Sequence, residues 1–320
     1  MSIIEGMAST DRKDSELTLM ALVARKHYLG NLSKSEIADQ LYLSRFKVAR
    51  LLEAAKEQGV VTFTVGLPGN VNLNLSRELR DAFGLEHAVV IDDLDDESTG
   101  LMLRLGDATA MLLSDLVNEG DLVGIASTRT LMGLREATSP IARCSFVQLT
   151  GGLPRSDASD VIGGIRSLTE LAHGTAHVFY APMVAASEEA ARSHRTQPEV
   201  IAAFDLMPHL DVIVSGIGAW QPGRSLIHDA LPQDIREEAA AAGAVCEAVG
   251  VPINAAGRTV DCAARRRIIA PDVEILQNAR HRSGVVFDPD RAPGVRIALA
   301  AKLVNCLVTH RADAEALLQL

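Results

Sequence analysis

The sequence predicts an α/β protein in two parts, an N-terminal winged helix-turn-helix and a larger α/β domain. Residues 1–65 follow the order helix, helix, tight turn, helix, strand, which is typical of a winged helix-turn-helix. From about His87, short apolar runs alternate with amphipathic stretches, as in a parallel sheet covered by helices. A turn signal at Leu67-Pro68-Gly69-Asn70 separates the two patterns, so we predict domains at 1–68 and 69–320.

The first two helices of the small domain are marked by their ends. Ser15–Tyr28 has apolar residues at helical spacing, and Gly30-Asn31 is a stop signal after it. Ser33 can then accept a hydrogen bond from an exposed amide of the next helix. Glu36, three residues later, can reach back to the Ser33 amide, which predicts a capping box.

A third helix follows after a short turn. Ser44 is placed to cap it, and Gly59 is a natural stop after about Gln58. Val60–Val65 is rich in β-branched residues and predicts the strand of the wing. Beyond the turn signal, Asn72–Phe83 predicts a short linking helix.

The third helix has two distinct faces. Its apolar residues recur at i, i+3, i+4 and i+7 and are expected to pack on the first two helices; they are Val48, Leu51, Leu52 and Ala55. Arg45, Phe46 and Arg50 lie on the other face near the helix start, where recognition helices meet base edges. An arginine there can donate two hydrogen bonds to guanine. The alternative interpretation is an ordinary solvated basic face.

Other polar groups of this region are expected to contact the DNA backbone. Lys47 is predicted to contact a phosphate, which contributes affinity rather than sequence choice. The hydroxyls of Ser33 and Ser44, at two helix starts, can also hold phosphates. Phe46 has two interpretations, contact with a thymine methyl or packing against its own domain.

The larger domain is predicted from apolar runs and the helical stretches between them. The predicted strands are Ala88–Ile91, Leu122–Ile125, Phe146–Leu149, Ala176–Phe179, Val212–Val214, Ala244–Val249 and Leu303–Val308. The amphipathic stretches include Gly100–Val117, Ser187–Phe204 and Gln233–Ala242. Several strands end in small residues, and open α/β sheets bind ligands at such strand ends.

Charge and cysteine content narrow the class of protein. The net charge is −10, yet residues 1–65 carry nine Lys or Arg against eight Asp or Glu, a net charge of +1 that leaves −11 for the rest. This difference fits a small DNA-facing module on an acidic body, although ordinary scatter would also produce it. The four cysteines form no CxxC pair, so we predict no metal site and no disulfides. With no signal peptide or apolar span, we expect a cytoplasmic protein.

The segment LSKSEIADQLYLSRFKVARLLEAAKEQGVV resembles, end to end, the helix-turn-helix of the SorC family of DeoR-like bacterial sugar-operon regulators. Further similarities follow in the family's order: VGIASTRTL, QLTGGL, YAPMV, DVIVSGIG, GAV, INAAGR and NCLVTHRADAEALL. The resemblance implies a winged-helix domain and a Rossmann-like effector domain akin to sugar-phosphate isomerases and deaminases. It also implies a homodimer or homotetramer on operator DNA, with no cofactor.

The GIASTRT loop is the predicted effector site. Ser127, Thr128 and Thr130 offer hydroxyls and Arg129 a fixed fork of donors, which suits an anionic or hydroxyl-rich ligand. In the resembled family this loop holds the effector's phosphate; the alternative is a capped turn without a ligand. Four glycines at strand ends are expected to line the same cleft or to be simple turn glycines: Gly151, Gly152, Gly216 and Gly218.

Two departures from the family widen the choice of effector. The family's usual Gly-Asp reads Cys246-Glu247 here, and Arg291 stands where the family often has a lysine. Arginine and lysine bind phosphate with different geometry. The expected effector is therefore a sugar, a polyol or a sugar phosphate, with Glu247 and Arg291 among its contacts.

Three other function classes remain as alternatives. A sugar-phosphate isomerase or deaminase needs a base and a second proton carrier, but Ala219–Pro222, which follow the GxG segment, contain neither acid nor histidine. We therefore expect no catalytic residues, since the later His228-Asp229 pair is more often structural. GIGAWQ matches only half of a nicotinamide-binding GxGxxG. A purely structural DNA-bridging protein would not need glycine-lined strand ends.

Overall fold

The computed structural model describes residues 17–30, 32–61, 71–92, 98–127, 131–135, 137, 139–153 and 161–320. The chain forms two compact units, Met1–Gly66 and Leu67–Leu320. No helix in the described ranges is long and apolar enough to cross a membrane.

The N-terminal unit contains three helices packed on one small core. Helix α1 covers residues 17–24 and continues as a π-helical turn, Arg25–Leu29; α2 is Lys34–Leu41 and α3 is Arg45–Glu57. The core consists of Met20, Val23, Ala24, Ile37, Ala38, Val48, Leu51, Leu52 and Ala55, so the predicted apolar face of α3 is confirmed. The predicted capping box is present, because Ser33 Oγ accepts from the Glu36 amide and Glu36 Oε2 accepts from the Ser33 amide.

The connections of this unit depend on backbone geometry. Tyr42 ends α2 in the left-handed conformation, with φ at 52°. Gly59, with φ at 70°, follows α3 at the predicted stop. Val60 and Val61 form a bend rather than a strand, and the rest of the predicted wing strand, 62–65, lies outside the described residues. The predicted hinge at 67–70 lies outside them as well.

The second unit alternates strands and helices. Its strands are β1 His87–Ile91, β2 Leu122–Ile125, β3 Ser145–Gln148, β4 Thr175–His177, β5 Val212–Ala219, β6 Cys246–Ala248, β7 Val251–Ile253, β8 His281–Val285 and β9 Cys306–His310. Its helices are α4 Leu73–Phe83, α5 Ser98–Leu116, α6 Leu131–Arg135, α7 Val161–Leu171, α8 Glu188–Arg195, α9 Pro198–Leu206, α10 Leu226–Ala230, α11 Gln233–Ala241, α12 Ala263–Arg267, α13 Val273–Leu276, α14 Ala292–Ala300 and α15 Arg311–Gln319. Short 3-10 turns lie at Met207–His209 and Pro289–Arg291.

Seven of these strands form one parallel sheet in the order β1-β9-β8-β5-β2-β3-β4. The carboxyl end of β5 extends beyond the sheet and pairs with β6 in antiparallel fashion, and β6 pairs with β7. Apolar side chains are buried in two separate clusters, in agreement with a parallel sheet covered on both faces. The predicted α/β class is confirmed.

Three local predictions need correction. The stretch Ser187–Phe204 forms two helices, because Pro198 has no amide hydrogen to continue the first helix and instead opens α9 at its first position. The predicted strand Ala244–Val249 is shortened by a tight turn at Val249-Gly250, both of which have positive φ. Strand β8, with the sequence HRSGV, was not predicted because its first residues are polar.

Candidate DNA-binding and effector sites

The start of α3 is held by its cap and its core. Ser44 Oγ accepts a hydrogen bond of 3.1 Å from the amide of Lys47, which satisfies a donor that the helix itself leaves unpaired. The buried residues Val48 and Leu52 anchor the opposite side of the helix. The cap and the core thereby fix the first turn of α3 to its unit, while the other face of the helix is exposed.

The exposed face of α3 carries the side chains that were predicted from the sequence to contact DNA. Arg45, Phe46, Lys47 and Arg50 are all exposed, and Phe46 is 88% exposed. The interpretation that Phe46 packs against the described part of its own unit is therefore wrong. Contact of the ring with a thymine methyl remains as the other interpretation. Three cations and an aromatic ring on one helix start form a surface suited to a nucleic acid.

Sequence reasoning missed a second exposed aromatic residue. Tyr42 lies in the turn between α2 and α3 and is 97% exposed. A tyrosine in the left-handed region is strained, and glycine or asparagine would fit this position with less strain. The only sequence signal was a bulky aromatic residue where a tight turn favours a small one.

The candidate effector site is a cleft at the carboxyl ends of β2 and β5. Its described walls are Ser127, Met183, Gly216, Ile217, Ser225, Leu226, Ile227, Glu247, Gly250 and Arg291. Parallel strands that end side by side create such a cleft, because their following loops diverge. Of the predicted effector residues, Ser127, Gly216, Glu247 and Arg291 meet here.

Glu247 is the buried acid of this cleft. Its Oε2 accepts from the amide of Gly250 at 2.8 Å and its Oε1 from Ser225 Oγ at 3.3 Å. Burial raises the pKa of the Glu247 carboxyl, while the Gly250 amide and the nearby guanidinium of Arg291 act in the opposite direction. A carboxyl group held in this way can accept or donate a hydrogen bond to a ligand hydroxyl.

Arg291 is the buried cation of the cleft. It is 8% exposed, and its guanidinium lies 4.9 Å from the centre of the Phe287 ring. Asp288, which has φ at 101°, lies 3.9 Å from Nε of Arg291 and also pairs with Arg224. Arg224 binds Asp290 as well, so it closes the turn from which Arg291 projects.

The described part of the GIASTRT loop supports a polar site. The amide of Ser127 donates to Thr150 Oγ1 at 2.9 Å, which joins the ends of β2 and β3. The buried hydroxyl of Ser127 has no hydrogen-bond partner among the described residues. An unpaired buried hydroxyl at a cleft wall is a candidate ligand contact. Thr128, Arg129 and Thr130 lie outside the described residues.

The four predicted glycines have different surroundings. A Cβ on Gly218 would lie 2.5 Å from Glu247 Oε1, and one on Gly151 would lie 2.4 Å from the Pro182 carbonyl oxygen. These two glycines allow close approach of a carboxylate and of backbone, respectively. Gly152 exchanges backbone hydrogen bonds with Ala181 and Met183, and neither Gly151 nor Gly152 is among the described cleft walls.

The family assignment follows from comparison with known sequences. The sequence model of the family described as "Putative sugar-binding domain" matches residues 67–319, well over half of the chain. The chain belongs to this sugar-binding domain family.

Two relatives of this chain align with it over nearly their whole length. The sorbitol operon regulator of Klebsiella pneumoniae is 26% identical over 334 residues, covering 95% of this chain and 98% of the relative. The erythritol catabolism regulatory protein EryD of Brucella abortus is 27% identical over 313 residues, with coverage of 95% and 98%. Both relatives are named as regulators, in agreement with the prediction that this family member is not an enzyme.

A solved structure confirms the fold of this sugar-binding domain protein. The full-length sorbitol operon regulator SorC from Klebsiella pneumoniae superposes with a TM-score of 0.72 at 23% identity, covering 94% of this chain and 98% of that one. The resemblance to the SorC family is confirmed by the family match and by the alignment with the sorbitol operon regulator. The pair His228 and Asp229 fits a structural role, since the His228 ring packs edge-on against Trp220 at 5.5 Å and Asp229 accepts from the Gly223 amide.

Proposed function

We propose that the chain is a sequence-specific DNA-binding regulator of a carbohydrate or polyol catabolic operon, controlled by a sugar, polyol or sugar phosphate. The observation that carries the proposal is the capped, core-anchored start of α3 with Arg45, Phe46, Lys47 and Arg50 exposed on one face. The names of the sorbitol and erythritol relatives support the same class of operon.

The DNA-contacting groups divide into two kinds. Arg45 and Arg50 are proposed to read base edges in the major groove, with Phe46 against a thymine methyl. Lys47 is proposed to neutralise a phosphate. Ser33 and Ser44 accept amide hydrogens with their oxygen atoms, so each O–H remains able to donate to a phosphate oxygen.

The effector is proposed to bind in the cleft between β2, β5 and β6. Glu247 supplies an acid, Arg291 a cation and Ser127 a hydroxyl with no partner among the described residues, which together suit a ligand with several hydroxyls. Thr128, Arg129 and Thr130 are proposed to complete the site as hydroxyl and guanidinium donors. Gly216 is proposed to let backbone approach the ligand and Gly218 to leave room for the Glu247 carboxyl group, whereas Gly151 and Gly152, which were also predicted to line the cleft, lie outside its described walls.

Regulation requires that the two sites be linked. A homodimer or homotetramer in the cytoplasm would present paired helix-turn-helix units to two operator half-sites. If the effector favours one arrangement of those units, effector and DNA binding are coupled by a free energy that is commonly about 1–3 kcal/mol.

The test is operator binding with and without candidate effectors. The full-length protein is titrated into labelled DNA from upstream of its own operon and into a scrambled duplex, with sorbitol, erythritol, their phosphates and further sugars added in turn. We expect specific binding that one compound changes by 5-fold or more, in line with about 1 kcal/mol of coupling. Equal affinity for both duplexes, unaffected by any compound, would contradict the proposal. Sedimentation of the same samples measures the oligomer.

A further inference from the structure

A carboxylate, an imidazole and a thiol meet at the edge of the sheet opposite the effector cleft. Ligand atoms of Glu86, His281 and Cys306 all lie within 4.8 Å of one another. Nδ1 of His281 lies 2.9 Å from Oε2 of Glu86, and the Cys306 thiol is fully buried behind them. Glu86 is exposed, so the cluster opens to solvent on one side.

The sheet register explains why these groups converge. His281 and Cys306 are the first residues of β8 and β9, and Glu86 directly precedes β1. Neighbouring parallel strands have their amino ends at the same edge of the sheet. Cys306 pairs with Ser283 on β8, and His281 lies two residues before Ser283 and so on the same face.

The backbone around the cluster is fixed by one asparagine. The carbonyl oxygen of Asn305 accepts from the amide of Glu86 at 2.9 Å, and its Oδ1 accepts from the amide of Arg282 at 2.6 Å. Its Nδ2 donates to the Arg280 carbonyl oxygen at 2.8 Å. These bonds tie together the three segments that carry the donors, so the positions of Glu86, His281 and Cys306 are set by the fold.

We propose that Glu86, His281 and Cys306 form a binding site for zinc, with a fourth position open to water. Thiolate sulfur, imidazole nitrogen and carboxylate oxygen are the donors that zinc takes in tetrahedral sites. Metal–donor bonds of about 2.0–2.3 Å place tetrahedral donors about 3.3–3.8 Å apart, so the cluster needs only small adjustments. A thiolate and an imidazole disfavour magnesium and calcium, which prefer oxygen donors.

The surroundings of the sulfur support a bound ion. The buried hydroxyl of Ser283, at the position paired with Cys306, interacts with the Cys306 sulfur and can donate a hydrogen bond to a thiolate there. Metal binding requires that the Cys306 thiol lose its proton to become a thiolate. The spacing of the cysteines in the sequence predicts no such site, since the three ligands come from segments that are distant in the chain.

Co²⁺ serves as the spectroscopic probe for this site. Its visible absorbance reports the number of ligands, and a charge-transfer band reports that sulfur is one of them. Metal-free full-length protein is titrated with Co²⁺, and absorbance is followed in the near ultraviolet, where thiolate-to-cobalt charge transfer appears, and in the visible range. We expect one equivalent to bind with a charge-transfer band, and an excess of Zn²⁺ to abolish that band. Zn²⁺ alone is expected to raise the melting temperature, because the ion joins three segments of the fold.

Substitutions of the three proposed ligands, compared with a control substitution of another buried cysteine, distinguish binding at this site from adventitious metal binding. Cys306→Ser should lose the charge-transfer band, whereas Cys144→Ser, another buried thiol at the same edge of the sheet, should retain it. His281→Gln and Glu86→Gln, at positions reached by solvent, should weaken Co²⁺ binding by 10-fold or more even if Cys306→Ser does not fold. A wild-type protein without the band, or a band that survives His281→Gln and Cys306→Ser alike, would overturn the proposal.

Discussion

Gly218 and Glu247 face each other across the pairing of β5 and β6, and a Cβ on Gly218 would lie 2.5 Å from Oε1 of Glu247. Ser225 Cβ and the Arg224 carbonyl oxygen would lie at 2.9 and 3.0 Å from the same Cβ. A side chain at 218 must therefore displace the carboxyl group or the loop behind it. The glycine keeps the buried acid of the cleft in place.

Gly218→Ala is expected to weaken the effector response at least 5-fold while operator binding without effector stays within 2-fold of wild type. The reason is that the substitution moves Glu247, and the described walls of the effector cleft all belong to the second unit. Effector titrations of operator-bound protein measure the change. Gly152→Ala is the control, because a Cβ there meets nothing within 4 Å and the wild-type response should persist. Equal loss in both variants would contradict this role for Gly218.

The pH dependence of stability should reveal the buried carboxyl of Glu247. Burial raises its pKa above the ordinary value of 4.5, so its contribution to stability is fully present below that value and is lost as the pH rises through the folded-state pKa. Glu247→Gln removes the titration. The free energy of unfolding of wild type, minus that of Glu247→Gln, is therefore expected to fall as the pH rises from 4.5 toward neutrality. Urea unfolding at a series of pH values measures this difference, and a constant or rising difference would refute the assignment.

Tyr42 is expected to lower the stability of the N-terminal unit through its backbone. Tyr42→Gly and Tyr42→Ala both remove the exposed ring, but only glycine adopts a φ of 52° without strain. We expect the glycine variant to be more stable than the alanine variant by about 1 kcal/mol. Urea unfolding followed by circular dichroism of the full chain provides the comparison. Equal stabilities would mean that the turn relaxes when the ring is removed.

The two kinds of cation on α3 should differ in their effect on operator binding. Arg50→Ala is expected to cost about 1–3 kcal/mol on the operator and much less on scrambled DNA, because a base-edge contact is lost. Lys47→Ala should weaken binding to both duplexes alike and reduce the slope of log affinity against log salt by about 1. Arg192→Ala, an exposed arginine of α8, serves as the control and should leave both affinities unchanged. Fluorescence anisotropy at several salt concentrations measures all three variants.

The helix-turn-helix was predictable because its signals are local. Ser33 with Glu36, Ser44, and the apolar spacing of Val48 and Leu52 each act within about two turns of helix, and the structure retains all of them. Tyr42 was missed because its conformation is imposed by the packing of α2 against α3, which overrides the preference of tyrosine. The sequence also did not decide between the two interpretations of Phe46, because the exposure of its ring depends on which residues pack around α3.

The effector cleft was only partly predictable. Ser127, Gly216, Glu247 and Arg291 were expected and line the cleft, but the part played by Ser225 as a donor to Glu247 was not. Ser225 looks like an ordinary cap of α10 in the sequence, and it meets Glu247 only because β6 folds back on β5. The placement of the 128–130 loop stays a prediction.

By itself, the sequence determined the class of each part of this protein: hydrophobic spacing and caps act over short distances and specify helices, strands and the exposed basic face of α3. Only the tertiary structure decided which distant residues meet. The strand order places β9 between β1 and β8, so Cys306, His281 and Glu86 converge although they are far apart in the chain. Side-chain chemistry at such places depends on register between strands, because shifting a strand by one residue turns each side chain to the other face of the sheet.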